Sequence, residues 1–311
     1  MTSDPTYDIL MAGTPSVDLT FALSTDALPH LGQECFADAF AMNPGAPLTT
    51  AFPLTRLGIR VGLRAHLGND PMSRFVADRM REIGMCLDLI EWIDRPMPII
   101  SAGISLPHDR LFITYDGTDA VPLPPLHITV ADLDRYRPRA LTVGIGTRQD
   151  VILAARRRGI LLFLDTYWDL KMLHSSALQE LLPLVDVFSP NLPEALEMTG
   201  TGSAAEALDV LSGTVRRVAI KMGGEGCLAS CDGNRFVVPA VPVCAVDTTG
   251  AGDNFDAGLI YGLLTGRSFE MSLHLANIAG GLSTTVHGGS NAAISPGMLE
   301  EYAATVYGDI A

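Results

Sequence analysis

The run Asp247-Thr248-Thr249-Gly250-Ala251-Gly252-Asp253 places two carboxylates and two glycines within seven residues. Gly250 and Gly252 leave the backbone bare, so successive N–H groups can point outward where a helix begins. Such a turn binds anions through its amides and through the positive end of the helix dipole. Asp253 falls in the first turn of the same helix, where the dipole stabilises a carboxylate. A carboxylate beside an anion site repels the anion, so its placement calls for a chemical reason. Accepting a proton from a hydroxyl that attacks phosphorus is such a reason. An ordinary capped helix with glycine in its turn is the alternative, because short glycine motifs recur by chance.

The elements that must hold this turn read as an alternating chain. The turn follows a strand expected at Pro242–Ala245 and opens a helix over Ala251–Leu264. Upstream, strands at Leu141–Val143, Ile160–Asp165, Val185–Phe188 and Val215–Lys221 alternate with helices at Arg148–Arg158, Ser176–Leu182, Pro193–Met198 and Ala204–Leu211. Tyr7–Ala12, Ile59–Ala65 and Leu87–Ile93 read as further strands. Leu48–Leu57 reads as a helix, and Pro71–Ile83 as another, with Pro in its first turn and Gly84 after its end. A hairpin about Asp232-Gly233 joins Cys227–Cys231 to Arg235–Val238, and helices at Phe269–Val286 and Pro296–Val306 close the chain. Repeated βα units call for a mostly parallel sheet with helices on both faces. Two β-rich patches, 14–40 and 96–120, break the pattern, with strands expected at Val17–Phe21, Glu34–Phe40, Ile99–Leu106 and Arg110–Tyr115. The last two are joined by the turn Pro107-His108-Asp109. These patches are expected to form a small sheet over one end, leaving 1–13, 41–95 and 121–311 as the α/β core.

Composition bounds the function. The 311 residues carry 35 acidic and 21 basic side chains, a formal charge of −14, with only Lys171 and Lys221 as lysines. No basic face is visible, which argues against nucleic acid as a partner. No stretch reaches the roughly 18 apolar residues of a membrane span, and the first residues do not read as a signal peptide. Five cysteines, an odd number in a long chain, read as reduced thiols and hence a cytoplasmic protein. Cys227 and Cys231 lack a second Cys/His pair for zinc; with Cys244 they read as small buried hydrophobes. No Walker A, Gly-x-Ser-x-Gly or His-Glu-x-x-His motif competes with the glycine turn.

The segment Asp247–Asp253, continued by Phe255, Ala257 and Gly258, closely resembles the second signature of the ribokinase/PfkB carbohydrate-kinase family. The resemblance extends along nearly the whole chain. Asn191-Leu192-Pro193-Glu194 resembles the family's Asn-x-x-Glu motif, and Lys221 to Gly226, through Gly223, its nucleotide-side strand and turn. Asn277 falls where a family Asn lies near the purine. Gly13 to Asp18, including Ser16, resembles the sugar-contacting first loop, and Gly68-Asn69-Asp70 the Gly-x-Asp turn.

The resemblance implies a ribokinase-like, doubly wound α/β fold with a small β lid, and an ATP-dependent phosphotransferase acting on an alcohol. Asp253 would be the general base, and the amides of Gly250, Ala251 and Gly252 the anion hole. Asn191 and Glu194 would help position Mg²⁺ and phosphates. ATP would lie along Lys221, Gly223 and Gly226 and beside Asn277, with Lys221 itself read as a solvated or edge residue of its strand. A monovalent cation, K⁺, would sit near Asp247 and Thr249 with carbonyls from around Ser283 to Gly288. Ser16, Asp18, Gly45, Thr49 and Arg110 are the acceptor-side candidates. A carboxylate such as Asp18 accepts two hydrogen bonds from adjacent hydroxyls, which suits a polyol.

The chain departs from the family where the acceptor binds. The first signature, usually Gly-Gly-x-x-x-Asn, is Pro44-Gly45-Ala46-Pro47-Leu48-Thr49. Thr49 stands where Asn would hold a sugar hydroxyl and lacks the amide's bidentate reach. Pro47 and Pro53 stiffen the helix that follows. Gly144-Ile145-Gly146 lies where some members carry an acid for the sugar. The main expectation is therefore a kinase with an altered acceptor preference, phosphorylating a hydroxymethyl group of a small sugar or sugar derivative. A nucleoside kinase would need an apolar slot from lid residues such as Phe36, Phe40 or Phe112. A non-catalytic sugar sensor is a third reading, against which Asp253 stands. Unpaired lid edges would be covered by a second subunit, giving a homodimer through the lid.

Overall fold

The computed structural model describes residues 7–25, 30, 32–96, 99–106, 110–116, 126–289 and 291–307. Thirteen strands are described: β1 Ile9–Ala12, β2 Ser16–Ala22, β3 Ala39–Pro44, β4 Val61–Leu67, β5 Ile90–Trp92, β6 Ile99–Ser105, β7 Arg110–Asp116, β8 Ala140–Val143, β9 Leu161–Leu164, β10 Val187–Phe188, β11 Arg217–Lys221, β12 Cys227–Cys231 and β13 Asn234–Val238. Nine form one sheet in the order β13-β12-β11-β10-β9-β8-β1-β4-β5, and four form the other in the order β3-β2-β6-β7. The large sheet is parallel from β5 to β11; β12 and β13 are antiparallel additions.

Alternation along the central strands explains the two core layers. On β1, Ile9 and Met11 enter one apolar cluster and Leu10 the other. On β9, Phe163 faces the first layer and Leu162 and Leu164 the second. A strand buried on both faces needs apolar residues at every position, which is why these segments read as continuous hydrophobic runs.

The helix that carries Asp253, Ala251–Leu264, is packed closely on the helix Phe269–Ser283. A Cβ on Gly258 would lie 2.7 Å from the Leu275 carbonyl, and one on Gly262 2.5 Å from Ser272 Oγ. The bare glycines allow the two backbones to approach and so fix the helix behind the glycine turn.

Several segments differ from the sequence expectation. The second lid strand is β3, not Glu34–Phe40: Phe40, Met42 and Pro44 pair with Phe21, Leu19 and Val17, and this apolar register sets the strand. No strand forms at Pro242–Ala245; Pro239 and Pro242 lack the amides a ladder needs. Helices at Val130–Tyr136, started by a Thr129–Asp132 capping box, and at Leu170–Leu173 carried too weak an apolar period to be read. The last long helix but one stops at Ser283 rather than Val286. Cys244 is exposed rather than buried, while Cys227 is buried; all five cysteines are free thiols. The turn Pro107-His108-Asp109 lies outside the described residues. Among the described residues, no helix is long and apolar enough to cross a membrane.

Candidate active site

The glycine turn is built as its residue types require. Gly250 caps the helix with φ +70°, and a Cβ there would lie 2.8 Å from Gly289 Cα. Both facts exclude a side chain. Asn254 Nδ2 donates to the carbonyls of Gly250 (2.8 Å) and Gly289 (2.7 Å), clamping the turn to the loop beyond the next helix. The Ala251 amide donates to Thr248 O at 3.3 Å, so it is partly engaged within the turn. First-turn amides of a helix have no intrahelical acceptor, which leaves those of Gly252 and Asp253 for an anion.

Asp253 is half-buried in the turn's first helical residues, and Thr50 Oγ1 donates to its Oδ1 at 3.0 Å. Its carboxyl pKa is raised, first by burial and then by the Asp165 charge; Lys221 and the Thr50 and Thr49 hydroxyls oppose the rise. A raised carboxylate is a stronger base, and Thr50 fixes its orientation. The Thr49 hydroxyl lies near the same carboxylate, is buried, and makes no full hydrogen bond.

The four-stranded sheet brings several of the expected acceptor-side candidates near Asp253. A Cβ on Gly45 would lie 2.1 Å from Ser16 Oγ and 2.7 Å from both Asp18 carboxylate oxygens, so these three residues meet at one point. Asp18 is pushed up to about 6, first by burial and then by the Asp253 charge, against a weak Ser16 hydrogen bond of 3.4 Å. The two carboxylates are therefore close enough for their charges to interact. Asp18 pairs with Asn43, and Thr20 with Gly103, which pairs with Phe112; by alternation all lie on the same lid face. Phe112 lies over Gly103, where a Cβ would come within 2.9 Å of its ring. Phe40 is on the opposite face and Phe36 is exposed outside the lid strands, so neither joins an apolar slot at the site. Arg110 opens β7 opposite Ser105.

Lys221 is not a solvated strand residue. Its Nζ donates to Asp165 Oδ1 at 2.9 Å and Asp256 Oδ2 at 3.0 Å. It also lies beside the turn, 3.5 Å from where a Gly252 Cβ would be. Asp256, one helical turn beyond Asp253 and 1 % exposed, also accepts from Ser189 Oγ at 2.5 Å. Its carboxyl is pushed well up by burial and by the Asp165 charge, against Lys221.

The nucleotide-side candidates are tied into the fold. Asn191 and Glu194 form a reciprocal capping box at the helix Leu192–Thr199. Glu194 Oε2 accepts from the Asn191 amide (3.1 Å) and Thr166 Oγ1 (2.9 Å), and Oε1 from Asn191 Nδ2 (2.6 Å). Burial raises the Glu194 pKa, with Asp165 adding to the rise. Gly223 and Gly226 hold the positive φ values of the tight turn after β11, with Gly226 packed within 2.1 Å (as a Cβ) of Val238 O. Asn277 is buried and donates to Val238 O at 3.1 Å, so its amide braces the β13 end of this turn.

Asp247 is buried, with Oδ1 accepting from the Thr249 amide (2.9 Å) and Oδ2 from the Gly288 amide (2.8 Å). These bonds hold its pKa below the usual range despite burial, and so keep a lone negative charge under the turn. Ser283 Oγ donates back to Gly280 O inside its own helix, leaving only its carbonyl for a cation. No group of three or more His, Cys, Asp or Glu among the described residues is arranged to hold a metal ion.

Four contributors escaped the sequence reading. Asp165 directly follows the buried strand β9 at the C-terminal edge of the sheet, the edge where open α/β folds bind ligands, and that position was a usable signal. Thr50 adjoins the eroded first signature. Asp256 and Asn43 carried no signal; Asn43 Nδ2 is buried without a partner, against Gly288.

Comparison with known proteins places this arrangement. A model of the family described as pfkB family carbohydrate kinase matches residues 40–295. The ribokinase of Lactococcus lactis is 26% identical over 276 residues, 86% of this chain and 88% of that one. The ribokinase of Haemophilus influenzae is 34% identical over 115 residues, 35% of this chain and 38% of that one. The solved structure of Arabidopsis thaliana ribokinase complexed with ribose and ATP matches with TM-score 0.79 at 21% identity, covering 96% of this chain and 98% of that one. That of Burkholderia thailandensis nucleoside kinase in complex with inosine matches with TM-score 0.77 at 17% identity, covering 96% and 99%. The structural matches share the ribokinase-like fold, and the matched signature spans most of the sequence. This chain therefore belongs to the pfkB family of carbohydrate kinases, and it is a sugar or nucleoside kinase of that family.

Proposed function

We propose that the enzyme transfers the terminal phosphate of ATP to a hydroxymethyl group of a small sugar or sugar derivative. The observation that carries this reading is the Asp253 carboxylate, fixed by Thr50 between the glycine turn and the Asp18–Gly45 acceptor loop. Asp253 accepts the proton of the attacking hydroxyl. The free first-turn amides stabilise the charge spread over the transferring phosphoryl oxygens, since fixed dipoles need no reorganisation as that charge develops. Ser16 and Asp18 hold the other acceptor hydroxyls, and positioning supplies much of the rate.

Asp165, Glu194, Asp253 and Asp256 surround the single charge of Lys221, so the cleft has excess negative charge. A divalent ion accompanying the nucleotide fits that excess, and Mg²⁺ would neutralise the phosphates. Glu194 and Asn191, engaged with each other in the capping box, would help position it and the phosphates. The ionised, buried Asp247 fits a monovalent cation held with the carbonyls of Thr249, Ser283 and Gly288. The free thiols fit a reducing, cytoplasmic setting.

The test is ADP formation with ATP, Mg²⁺ and a panel of polyols, sugar acids and nucleosides. Turnover with at least one acceptor is expected, with kcat/KM falling as pH drops through about 6, where Asp18 gains a proton and accepts fewer hydrogen bonds. Tight acceptor binding without any ADP formation would establish the sensor reading instead.

A homodimer through the lid is part of the same proposal. The outer lid face carries Phe21, Phe40, Ile113 and Tyr115, all exposed, with the Phe21 and Phe40 rings 5.1 Å apart. Light scattering at micromolar concentration is expected to give a dimer, and the Phe40→Glu/Ile113→Glu double variant a monomer. A monomeric wild type would refute it.

A further inference from the structure

A cavity of about 400 Å³ opens at the N-terminal edge of the large sheet, the end opposite the glycine turn, and its volume suits a small molecule. Arg139 stands directly before β8, Ile160 directly before β9 and Arg217 at the start of β11, and all three line it. Leu263 and Leu264 close its far side. They end the helix whose first turn holds Asp253, roughly 17 Å away at 1.5 Å per residue.

In a chain of net charge −14, this cavity gathers three arginines: Arg139, Arg158 and Arg217. The carboxylates nearby are committed elsewhere. Asp8 is gripped by Arg60 at 3.1 and 3.3 Å, and Arg139 comes only within 3.9 Å of it. Asp232 is held by Arg216 at 2.7 and 2.9 Å, and Arg217 acts on it only as a nearby charge. Arg158 is spent on Asp134, at 3.0 and 2.6 Å, and on the Ala154 carbonyl, so it closes the rim without a free edge. Arg139 and Arg217 are left with charge that the fold does not balance. The Arg217 guanidinium meets the Cys231 thiol, a weak acceptor, and its Nε is buried with no hydrogen-bond partner. A half-buried cation in that position costs free energy until an anion pairs with it.

The backbone around the cavity does not answer this charge. The carbonyls ending the Asp253 helix are taken: Tyr261, Leu263 and Gly262 accept from the amides of Thr265, Gly266 and Arg267, and Leu264 accepts from Arg139 Nη2. The Gly159 and Leu161 amides donate to the Arg156 and Arg139 carbonyls. Pro138, Ile160 and Leu161 add apolar surface beside the guanidiniums. The lining therefore asks for an anion on a small organic body. A phosphate offers forked guanidiniums several oxygens and more charge than a carboxylate.

We propose that this cavity binds a small phosphate monoester, its phosphate met by Arg139 and Arg217 and its carbon part lying against Pro138, Ile160 and Leu161. The proposal stands apart from the phosphoryl-transfer reading, because none of the acceptor-side or nucleotide-side candidates lines the cavity.

The experiment is calorimetric titration of wild type, Arg139→Gln, Arg217→Gln and the double variant with glycerol 3-phosphate, inorganic phosphate and, as the neutral control, glycerol. A non-hydrolysable ATP analogue with Mg²⁺ is present throughout at saturation, so that the glycine turn is filled. Glycerol 3-phosphate is expected to bind wild type more tightly than inorganic phosphate, and glycerol not to bind. Each glutamine variant should lose roughly tenfold or more in affinity, as befits the loss of hydrogen bonds to a charged group, and added NaCl should weaken binding. Thermal shift gives a second reading, since a bound ligand stabilises by mass action. Without any phosphate, Arg217→Gln should keep or raise Tm because it removes an unbalanced charge, whereas replacing a merely structural arginine would lower it. Absence of binding in the presence of the ATP analogue, undiminished affinity in the double variant, inorganic phosphate bound as tightly as glycerol 3-phosphate, or a lowered Tm of phosphate-free Arg217→Gln overturns the proposal. None of these readings depends on turnover, so failure of the kinase reaction leaves the test intact.

Discussion

Asp253→Asn is expected to lower kcat by about 10³–10⁴-fold while acceptor and nucleotide affinities stay within a few-fold. General bases contribute roughly 10²–10⁴-fold, and this one is held in place by Thr50 and raised in pKa by burial and by Asp165. The amide preserves the shape and can still meet Thr50, so the change isolates proton acceptance from positioning. In the wild type, kcat should fall on the acid side with an apparent pKa above the usual carboxylate range, since the protonated carboxyl cannot accept a second proton. The residual activity of the Asp253→Asn variant should lack that limb. Stopped-assay ADP measurements across pH, with calorimetric binding of each ligand, check both parts. A variant with more than a tenth of wild-type kcat would remove Asp253 from the role of base.

The second large effect is on stability. Lys221→Met is expected to destabilise the fold by about 3–5 kcal/mol, the usual result of breaking a buried ion pair from one side. For a chain of this length that lowers Tm by roughly 5–10 °C. The reason is geometric: Nζ lies between Asp165 and Asp256, the latter almost fully buried, and among the described residues no other cation meets both. The Asp256 carboxyl is already raised by burial and by Asp165. A carboxyl raised in the folded state favours folding most fully below its unfolded pKa, and that contribution is lost as pH rises through the folded value. Removing Lys221 raises Asp256 further, so the deficit of the variant should be largest at neutral pH and shrink as the medium becomes acidic. The double variant Lys221→Met/Asp256→Asn removes the stranded charge and should regain more than half of the lost Tm. Calorimetric Tm values at about pH 5 and about pH 7.5 test this, and an unchanged Tm in the single variant would mean that the cluster is solvated in solution.

These two residues illustrate how unevenly the site could be read. Asp253 was legible as a candidate because its signals are local: glycines, helix start and carboxylate lie within seven residues, and the same few peptide units carry both the proposed anion site and the proposed base. Lys221 was misjudged because its partners stand 35 and 56 positions away along the chain, and nothing in a strand of alternating residues says that its end will meet two aspartates. Asp18 and Gly45 were named from the resemblance, but their contact with each other depends on β2 and β3 pairing in a particular register. The second lid strand was expected to start at Glu34 rather than Ala39 for the same reason, since pairing partners, not local propensity, set its limits.

What the sequence alone determined is the alternation of βα units, the two-faced burial of the central strands, and the glycine turn with the carboxylate that follows it. These depend on periodicity and on backbone freedom, which are properties of neighbouring residues. Only the tertiary structure decided that Thr50 would meet the proposed base and that Lys221 would stand between the half-buried Asp165 and the buried Asp256. Each of these is a distance between segments far apart in the chain, and a charge or a void acquires its energy from such distances, through local dielectric and packing, rather than from the residue that carries it.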